Sequence, residues 1–135
     1  MHKILIIEDE AIIRRMCSRT LTANGYSVDV AGNGLEGLEK LTQFEYDACF
    51  SDITMPNLNG IQMYKLVKEK HPHKADCMVF TTGDMLNPEV KEFVHSISSR
   101  FLAKPFLPDE LLSMIKRIVE ANSIPIEERK SQGVD

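Results

Sequence analysis

Five polar or charged side chains that suit metal and phosphoryl chemistry stand at the ends of apolar segments in this sequence: Glu8, Asp9, Asp52, Thr82 and Lys104. Carboxylates that lie close together repel one another unless a cation binds between them. Oxygen ligands that leave room for water favour Mg²⁺ or Mn²⁺, whereas zinc would require histidine or cysteine. A lysine ammonium and a threonine hydroxyl suit the oxygens of a phosphoryl group. The five residues therefore indicate phosphoryl chemistry at a site for a divalent cation.

The elements that position these residues alternate between short apolar segments and helical patterns, which predicts an α/β protein with helices on both faces of a parallel sheet. The predicted strands cover residues 3–7, 26–31, 46–51, 77–81 and 100–103. Five helices are predicted. The first begins at Ala11 and stops at Asn24-Gly25, and the second follows Asn33-Gly34. The other three cover 61–70, 88–97 and Pro108 through Val119. Doubly wound sheets bind ligands at the carboxyl ends of their strands. The five side chains are therefore predicted to converge at one edge of the sheet.

The acidic segment 8–10 has a second explanation, because acids at the start of a helix are favoured by the helix dipole. For this segment alone the two explanations are about equally good. The presence of Asp52, Thr82 and Lys104 at the ends of other strands favours the ion site.

Length and composition predict one domain over residues 1–121 and a loosely ordered polar tail over 122–135. Apolar residues make up 43% of the chain and charged residues 27%, which excludes a disordered or fibrous class. The net charge of -4 argues against direct binding of nucleic acid, which needs a basic surface. The apolar segments are too short to cross a bilayer and no signal peptide is recognisable. We therefore expect no membrane insertion and a cytoplasmic location.

Four motifs in combination resemble the response regulator receiver family across residues 3–121. They are ILIIEDE at 4–10, SDITMPNLNG at 51–60, FTTGD at 80–84 and FLAKPF at 101–106. The resemblance implies a flavodoxin-like, doubly wound sheet of five parallel strands in the order 2-1-3-4-5 with five helices. It also implies a phosphoacceptor domain of a two-component phosphorelay. Such a domain is a signalling module and not an enzyme, apart from catalysing its own phosphorylation and dephosphorylation.

The resemblance further implies which residues bind the phosphoryl group and the ion. Asp52 would be the phosphoacceptor. Glu8, Asp9 and Asp52 would bind Mg²⁺, or Mn²⁺ in its place, together with the backbone carbonyl of Thr54. Glu8 departs from the family pattern, because aspartate is commoner at its position, but its longer side chain is expected to reach the ion directly or through water. Lys104 matches the lysine that contacts the phosphate.

The switch residues that the resemblance implies are Thr82 and Phe101. Thr82 is expected to bond a phosphoryl oxygen, and Phe101 to turn into the space that Thr82 leaves. Thr54 and Asp84, which stand two residues after Asp52 and Thr82, are expected to tune the rate of dephosphorylation.

The partner implied by the resemblance is a histidine kinase or a histidine phosphotransfer protein. The switching surface would consist of the fourth predicted helix, the fifth strand and the fifth predicted helix, and homodimerisation through this surface is left open. The sequence fits both a stand-alone regulator and a receiver from a hybrid histidine kinase. It identifies neither the cognate kinase nor the output.

Three other interpretations fit parts of the pattern. A haloacid-dehalogenase-like phosphatase also uses a strand-end aspartate with Mg²⁺, but it requires a second acid where this chain has Thr54, and it requires room for a cap domain. A flavodoxin-like FMN carrier shares the sheet topology, but its first loop should be rich in Ser, Thr and Gly, where this chain has Glu8 to Glu10. His71 and His73 suggest a metal pair, but no third ligand is close in sequence.

Overall fold

One sheet of five parallel strands organises the protein in this computed structural model, which describes residues 1–123. Its strands are β1 (Lys3–Ile7), β2 (Ser27–Ala31), β3 (Ala48–Asp52), β4 (Met78–Thr82) and β5 (Phe101–Ala103). They pair in the order β2-β1-β3-β4-β5. The chain order reverses between β1 and β3, which is where such sheets bind their ligands. The predicted fold class and strand order are confirmed.

Helices cover both faces of the sheet, two on one face and three on the other. These are α1 (Ala11–Ala23) and α6 (Pro108–Asn122) on one face, and α2 (Gly34–Gln43), α3 (Gly60–Lys70) and α5 (Pro88–Ser96) on the opposite face. The prediction of five helices missed a sixth, the four-residue α4 (Pro72–Ala75), within residues 1–123. Pro72 was predicted to close α3, but its fixed φ also suits the first turn of a new helix. None of the helices in this part of the chain combines the length and the apolar character that crossing a membrane requires.

The sheet divides the core into two apolar layers. Successive side chains of a strand point to opposite faces. Ile4 and Ile6 of β1 therefore pack toward α1 and α6, whereas Leu5 and Ile7 pack toward α2, α3 and α5. All four side chains are completely buried. Burial of each contributes about 2 to 3 kcal/mol relative to exposure, and this burial on both faces is the reason why the strand is a continuous apolar segment.

Two central strands end one residue later than the sequence predicted. β3 ends at Asp52 and β4 ends at Thr82, because the sheet hydrogen bonds continue beyond the apolar residues. The N–H of Ile53 donates to the carbonyl of Thr81 at 2.9 Å, and the N–H of Lys104 donates to the carbonyl of Thr82 at 3.0 Å. The backbones of Asp52 and Thr82 are therefore held by the sheet itself.

The last helix reaches slightly beyond the predicted domain boundary. α6 includes Asn122, which the sequence analysis assigned to the tail. Residues 124–135 lie outside the described residues, so the loosely ordered tail stays a prediction.

Candidate functional site

Three carboxylates converge at the ends of β1 and β3. Glu8 and Asp9 follow β1, and Asp52 is the last residue of β3. One carboxylate oxygen from each residue lies within 4.8 Å of the other two. Glu8 and Asp52 are buried, with only 2% and 4% of their surface exposed, whereas Asp9 is exposed. The structure thus brings together the three acids singled out in the sequence and leaves their cluster open to solvent on the Asp9 side.

Lys104 balances part of this negative charge. Its Nζ lies 2.9 Å from the carboxylate of Glu8, 3.1 Å from that of Asp52 and 3.7 Å from that of Glu10. Burial by itself would lower the pKa of Lys104, but the hydrogen bond to Glu8 and the charge of Asp52 outweigh this effect and raise the pKa. One ammonium therefore faces these three carboxylates, and the carboxylate of Asp9 lies near those of Glu8 and Asp52, so a net negative charge remains.

The pKa of Glu8 indicates that a further positive charge would stabilise the site. Burial raises the pKa of Glu8 from 4.5 to about 7; the hydrogen bond from Lys104 opposes this rise and the charge of Asp52 increases it. A divalent cation would lower that pKa, because it favours the ionised carboxylate. The donor atoms are carboxylate oxygens, and the exposed Asp9 leaves access for water. This donor set fits Mg²⁺ or Mn²⁺.

The two histidines do not offer a second metal site. His71 lies between α3 and α4, and His73 lies within α4. Throughout residues 1–123, the acidic cluster is the only group of three side chains placed to hold an ion. The histidine pair therefore gains no third ligand from the fold.

A glycine and a helix cap shape the loop that follows β3. A Cβ on Gly60 would lie 2.8 Å from the carbonyl oxygen of Asp52, so no side chain fits there. The N–H of Gly60 donates to the carbonyl of Ile53 at 2.8 Å, and the side chain of Asn59 caps the first turn of α3. The loop thereby holds the N–H of Thr54 3.2 Å from Oδ1 of Asp52. The sequence analysis recognised Gly60 only as a loop residue and missed this close approach.

Two further residues at the acidic cluster were not singled out as site residues. Arg14 donates from Nη1 to the backbone carbonyl of Glu8 at 2.8 Å and so anchors the loop between β1 and α1. Glu10, which was considered only as part of the helix start, adds its carboxylate near Lys104. Arg14 stands four residues after Glu10, and this spacing places residues on one side of a helix. This spacing could have indicated from the sequence that Arg14 lies close to the acidic segment.

A pair of threonine hydroxyls lies next to Asp52. Thr82 is completely buried at the end of β4, and its Oγ1 lies 3.2 Å from Oγ1 of Thr54. The same oxygen of Thr82 accepts a hydrogen bond from the N–H of Asp84 at 3.0 Å, while Asp84 itself is exposed. The sequence analysis gave Thr54 a backbone carbonyl for the ion and a shielding side chain, so the contact between the two hydroxyls was not predicted.

Phe101 is placed where movement of its ring could be transmitted to the protein surface. It is the first residue of β5 and stands opposite Phe80 in the sheet register. Its side chain is half-buried and packs against the apolar layer that α3 and α5 share. The ring therefore lies at the border between the core and the surface. Its role in switching stays a prediction.

Comparison with known proteins agrees with this geometry. Residues 4–116 match the response regulator receiver domain. The structure is similar to the chemotaxis response regulator CheY4 of Vibrio cholerae, with a TM-score of 0.76 and 33% identity over 87% of this chain and 98% of that chain. It is also similar to the response regulator TrrA of Thermotoga maritima, solved in complex with Mg²⁺ and BeF, with a TM-score of 0.75 and 28% identity over 87% of this chain and 99% of that chain.

A curated relative covers almost the whole sequence. The probable transcriptional regulator ycf29 of Porphyra purpurea is 28% identical over 99% of this chain and 64% of its own length. The chain spans less than two thirds of the length of the curated relatives that it matches.

The fold and its acidic edge define a doubly wound α/β domain with a ligand site at the reversal of strand order. Because the family match covers most of the sequence, the chain belongs to the response regulator receiver domain family. Receiver domains are signalling modules of two-component systems and are not classical enzymes. The recognition made from the four sequence motifs is confirmed.

Proposed function

We propose that the protein receives a phosphoryl group on Asp52 from the phosphohistidine of a histidine kinase or a histidine phosphotransfer protein. The observation that carries this proposal is the way in which both oxygens of the Asp52 carboxylate are held. Oδ2 lies 3.1 Å from Nζ of Lys104, and Oδ1 accepts a hydrogen bond from the N–H of Thr54 at 3.2 Å. A nucleophile held in one orientation favours phosphoryl transfer, which depends mainly on positioning and electrostatics.

In the transfer, a carboxylate oxygen of Asp52 bonds to phosphorus while the bond between phosphorus and the imidazole nitrogen of the donor breaks. The electron pair of that bond remains on the nitrogen, which takes up a proton. The ammonium of Lys104 lies beside Asp52 and neutralises charge on the phosphoryl oxygens. Glu8, Asp9 and Asp52, with the carbonyl of Thr54, would hold Mg²⁺ or Mn²⁺. When bound, the cation supplies positive charge that offsets both the carboxylates and the phosphoryl group.

The signal in this proposal is a change of surface. Thr82 donates a hydrogen bond to a phosphoryl oxygen, and Phe101 turns into the space that it leaves. The surface formed by α5, β5 and α6, which are the fourth helix, fifth strand and fifth helix of the prediction, then repacks, because packed elements have discrete arrangements. A homodimer through this surface, the lack of direct contact with nucleic acid and the cytoplasmic location stay predictions.

The lifetime of the phosphorylated state is proposed to depend on Thr54 and Asp84. Both side chains are exposed near the site. The carboxylate of Asp84 can orient a water molecule, yet its charge disfavours a hydroxide-like nucleophile beside an anionic phosphoryl group. The test is a decay time course of the phosphorylated parent, Thr54→Asn and Asp84→Ala. Identical decay in all three proteins would remove both side chains from the mechanism.

The assignment of Asp52 is tested by incubating the protein with Mg²⁺ and acetyl phosphate and then measuring its intact mass. The parent should gain one phosphoryl group, and Asp52→Asn should gain none, because an amide is a poor nucleophile. Asp47→Asn is the matched control, since it makes the same change at the residue that precedes the first residue of β3, and it should behave as the parent does. Phosphorylation of Asp52→Asn at the parent's rate would show that another residue is the acceptor.

A further inference from the structure

We propose that the side chain of Thr54 is a positioning residue that holds the hydroxyl of Thr82 in its resting orientation and so sets how readily the domain switches. This inference rests on the proposed function, in which Thr82 must turn toward a phosphoryl group on Asp52. The observation behind it is the distance of 3.2 Å between the two hydroxyl oxygens. Thr54 is thereby assigned a role distinct from its backbone carbonyl and from shielding of the phosphoryl group.

The hydroxyl of Thr82 has no access to water, so its hydrogen bonds must come from the protein. Thr82 is completely buried, and its Oγ1 already accepts a hydrogen bond from the N–H of Asp84 at 3.0 Å. Its own proton needs an acceptor, because a buried polar group without a partner is costly. Oγ1 of Thr54 lies within reach. Thr54 is exposed and can donate its own proton to solvent. Donation from Thr82 to Thr54 is therefore the arrangement that satisfies both hydroxyls.

The position of Thr54 is itself tied to the phosphoacceptor. Its N–H donates to Oδ1 of Asp52 at 3.2 Å, so one residue touches both Asp52 and Thr82. The loop that carries Thr54 is closed against β3 by the hydrogen bond from Gly60 to Ile53. The side chain of Thr54 is therefore presented to Thr82 at a fixed place, which a contact between two mobile side chains would not provide.

A phosphoryl group on Asp52 competes with Thr54 for the same proton of Thr82. Hydrogen bonds to a charged oxygen are roughly twice as strong as those between neutral groups, so phosphorylation can draw Thr82 away. The switch must still break the bond to Thr54, and this bond opposes the change. Removal of the Thr54 hydroxyl leaves the buried proton of Thr82 without its resting acceptor. The switched orientation then becomes easier to reach.

The test compares Thr54→Val, which keeps the shape and removes the hydroxyl, with Thr54→Ser, which keeps the hydroxyl. Beryllofluoride with Mg²⁺ serves as a stable phosphoryl mimic, and its dissociation constant is measured by NMR titration at fixed Mg²⁺. Thr54→Val should bind it about threefold to tenfold more tightly than the parent, which is the range expected for one lost competing hydrogen bond. Thr54→Ser should restore the parent affinity. In a Thr82→Val background the change Thr54→Val should have no further effect, because the partner hydroxyl is already gone.

A second measurement reads the resting state without any phosphoryl mimic. The amide of Asp84 donates to Thr82, so its NMR signal reports the environment of that hydroxyl. The signal should move in Thr54→Val and return to its parent position in Thr54→Ser. If the parent binds beryllofluoride and Thr54→Val matches it in affinity and in the Asp84 signal, the role of Thr54 is refuted while the proposed function stands. If the parent does not bind beryllofluoride in Mg²⁺, the proposed function fails and this inference fails with it.

Discussion

Replacement of Glu8 by glutamine should stabilise the metal-free protein at neutral pH and leave its stability unchanged in acid. Glutamine reproduces the shape of protonated Glu8 and cannot ionise. Burial raises the pKa of Glu8 in the folded protein from 4.5 to about 7, so the folded state holds the proton more tightly than the unfolded state does. The contribution of Glu8 to stability is therefore greatest below pH 4.5, and it is lost as the pH rises through 7.

The size of this loss follows from the two pKa values. One pKa unit corresponds to about 1.4 kcal/mol, so ionisation of Glu8 costs the folded parent about 3 kcal/mol above pH 7. Because Glu8 is 2% exposed, solvent does not screen this cost appreciably. The advantage of Glu8→Gln over the parent should be about 1 kcal/mol at pH 5, about 2 kcal/mol at pH 6 and about 3 kcal/mol at pH 7 and above.

Urea denaturation in EDTA at pH 5, 6, 7 and 8 measures this difference. Glu10→Gln is the matched control, because Glu10 is an exposed acid that faces the same Lys104. It should change stability by about 0.5 kcal/mol or less at every pH. Added Mg²⁺ should stabilise the parent more than Glu8→Gln, since the ionised carboxylate is a better ligand. If the difference in the free energy of unfolding between the parent and Glu8→Gln did not change across this pH range, the conclusion that burial raises the pKa of Glu8 would be refuted.

Three further outcomes are expected from other parts of the structure. Asp9→Ala should weaken Mg²⁺ binding by roughly tenfold or more, because the ion loses one of three carboxylates, and an unchanged affinity in calorimetry would leave Asp9 as a residue of the helix start only. Gly60→Ala should lower the free energy of unfolding by about 1 to 3 kcal/mol, because the new Cβ would lie 2.8 Å from the carbonyl oxygen of Asp52 and 2.9 Å from the Cα of Ile53; a stability equal to the parent's in urea would contradict this. Tyr46→Phe should lower it by about 1 kcal/mol or less at pH 7, since the phenol donates a hydrogen bond of 2.7 Å to Asp29. That hydrogen bond and the charge of Lys3 keep the pKa of Asp29 below its usual value. The effect of Tyr46→Phe on stability should therefore shrink as the pH falls below about 4. An effect that does not depend on pH would contradict this explanation.

The elements and the chemical type of the site could be predicted from the sequence. A strand such as Ile4 to Ile7 is apolar at every position, and this pattern suits a sheet that is covered on both faces. The carboxyl ends of parallel strands share one edge, so Asp52 and Lys104 could be predicted to lie at the same edge of the sheet as the acids that follow β1. The order of the strands came from the resemblance to a family, because hydrophobic periodicity does not reveal which strands are neighbours. Short α4 was missed because four residues carry no periodic signal.

Only the tertiary structure decided how the site residues touch and how much water reaches them. Glu8 and Asp9 are adjacent acids, yet Glu8 is buried against Lys104 and Asp9 is exposed, because successive residues at a strand end point in opposite directions. The raised pKa of Glu8 follows from that burial, which no local pattern contains. The contact between Thr54 and Thr82 joins residues 28 positions apart. Residue types determine which groups are available for chemistry, whereas packing between distant segments determines which of them share a proton or a charge.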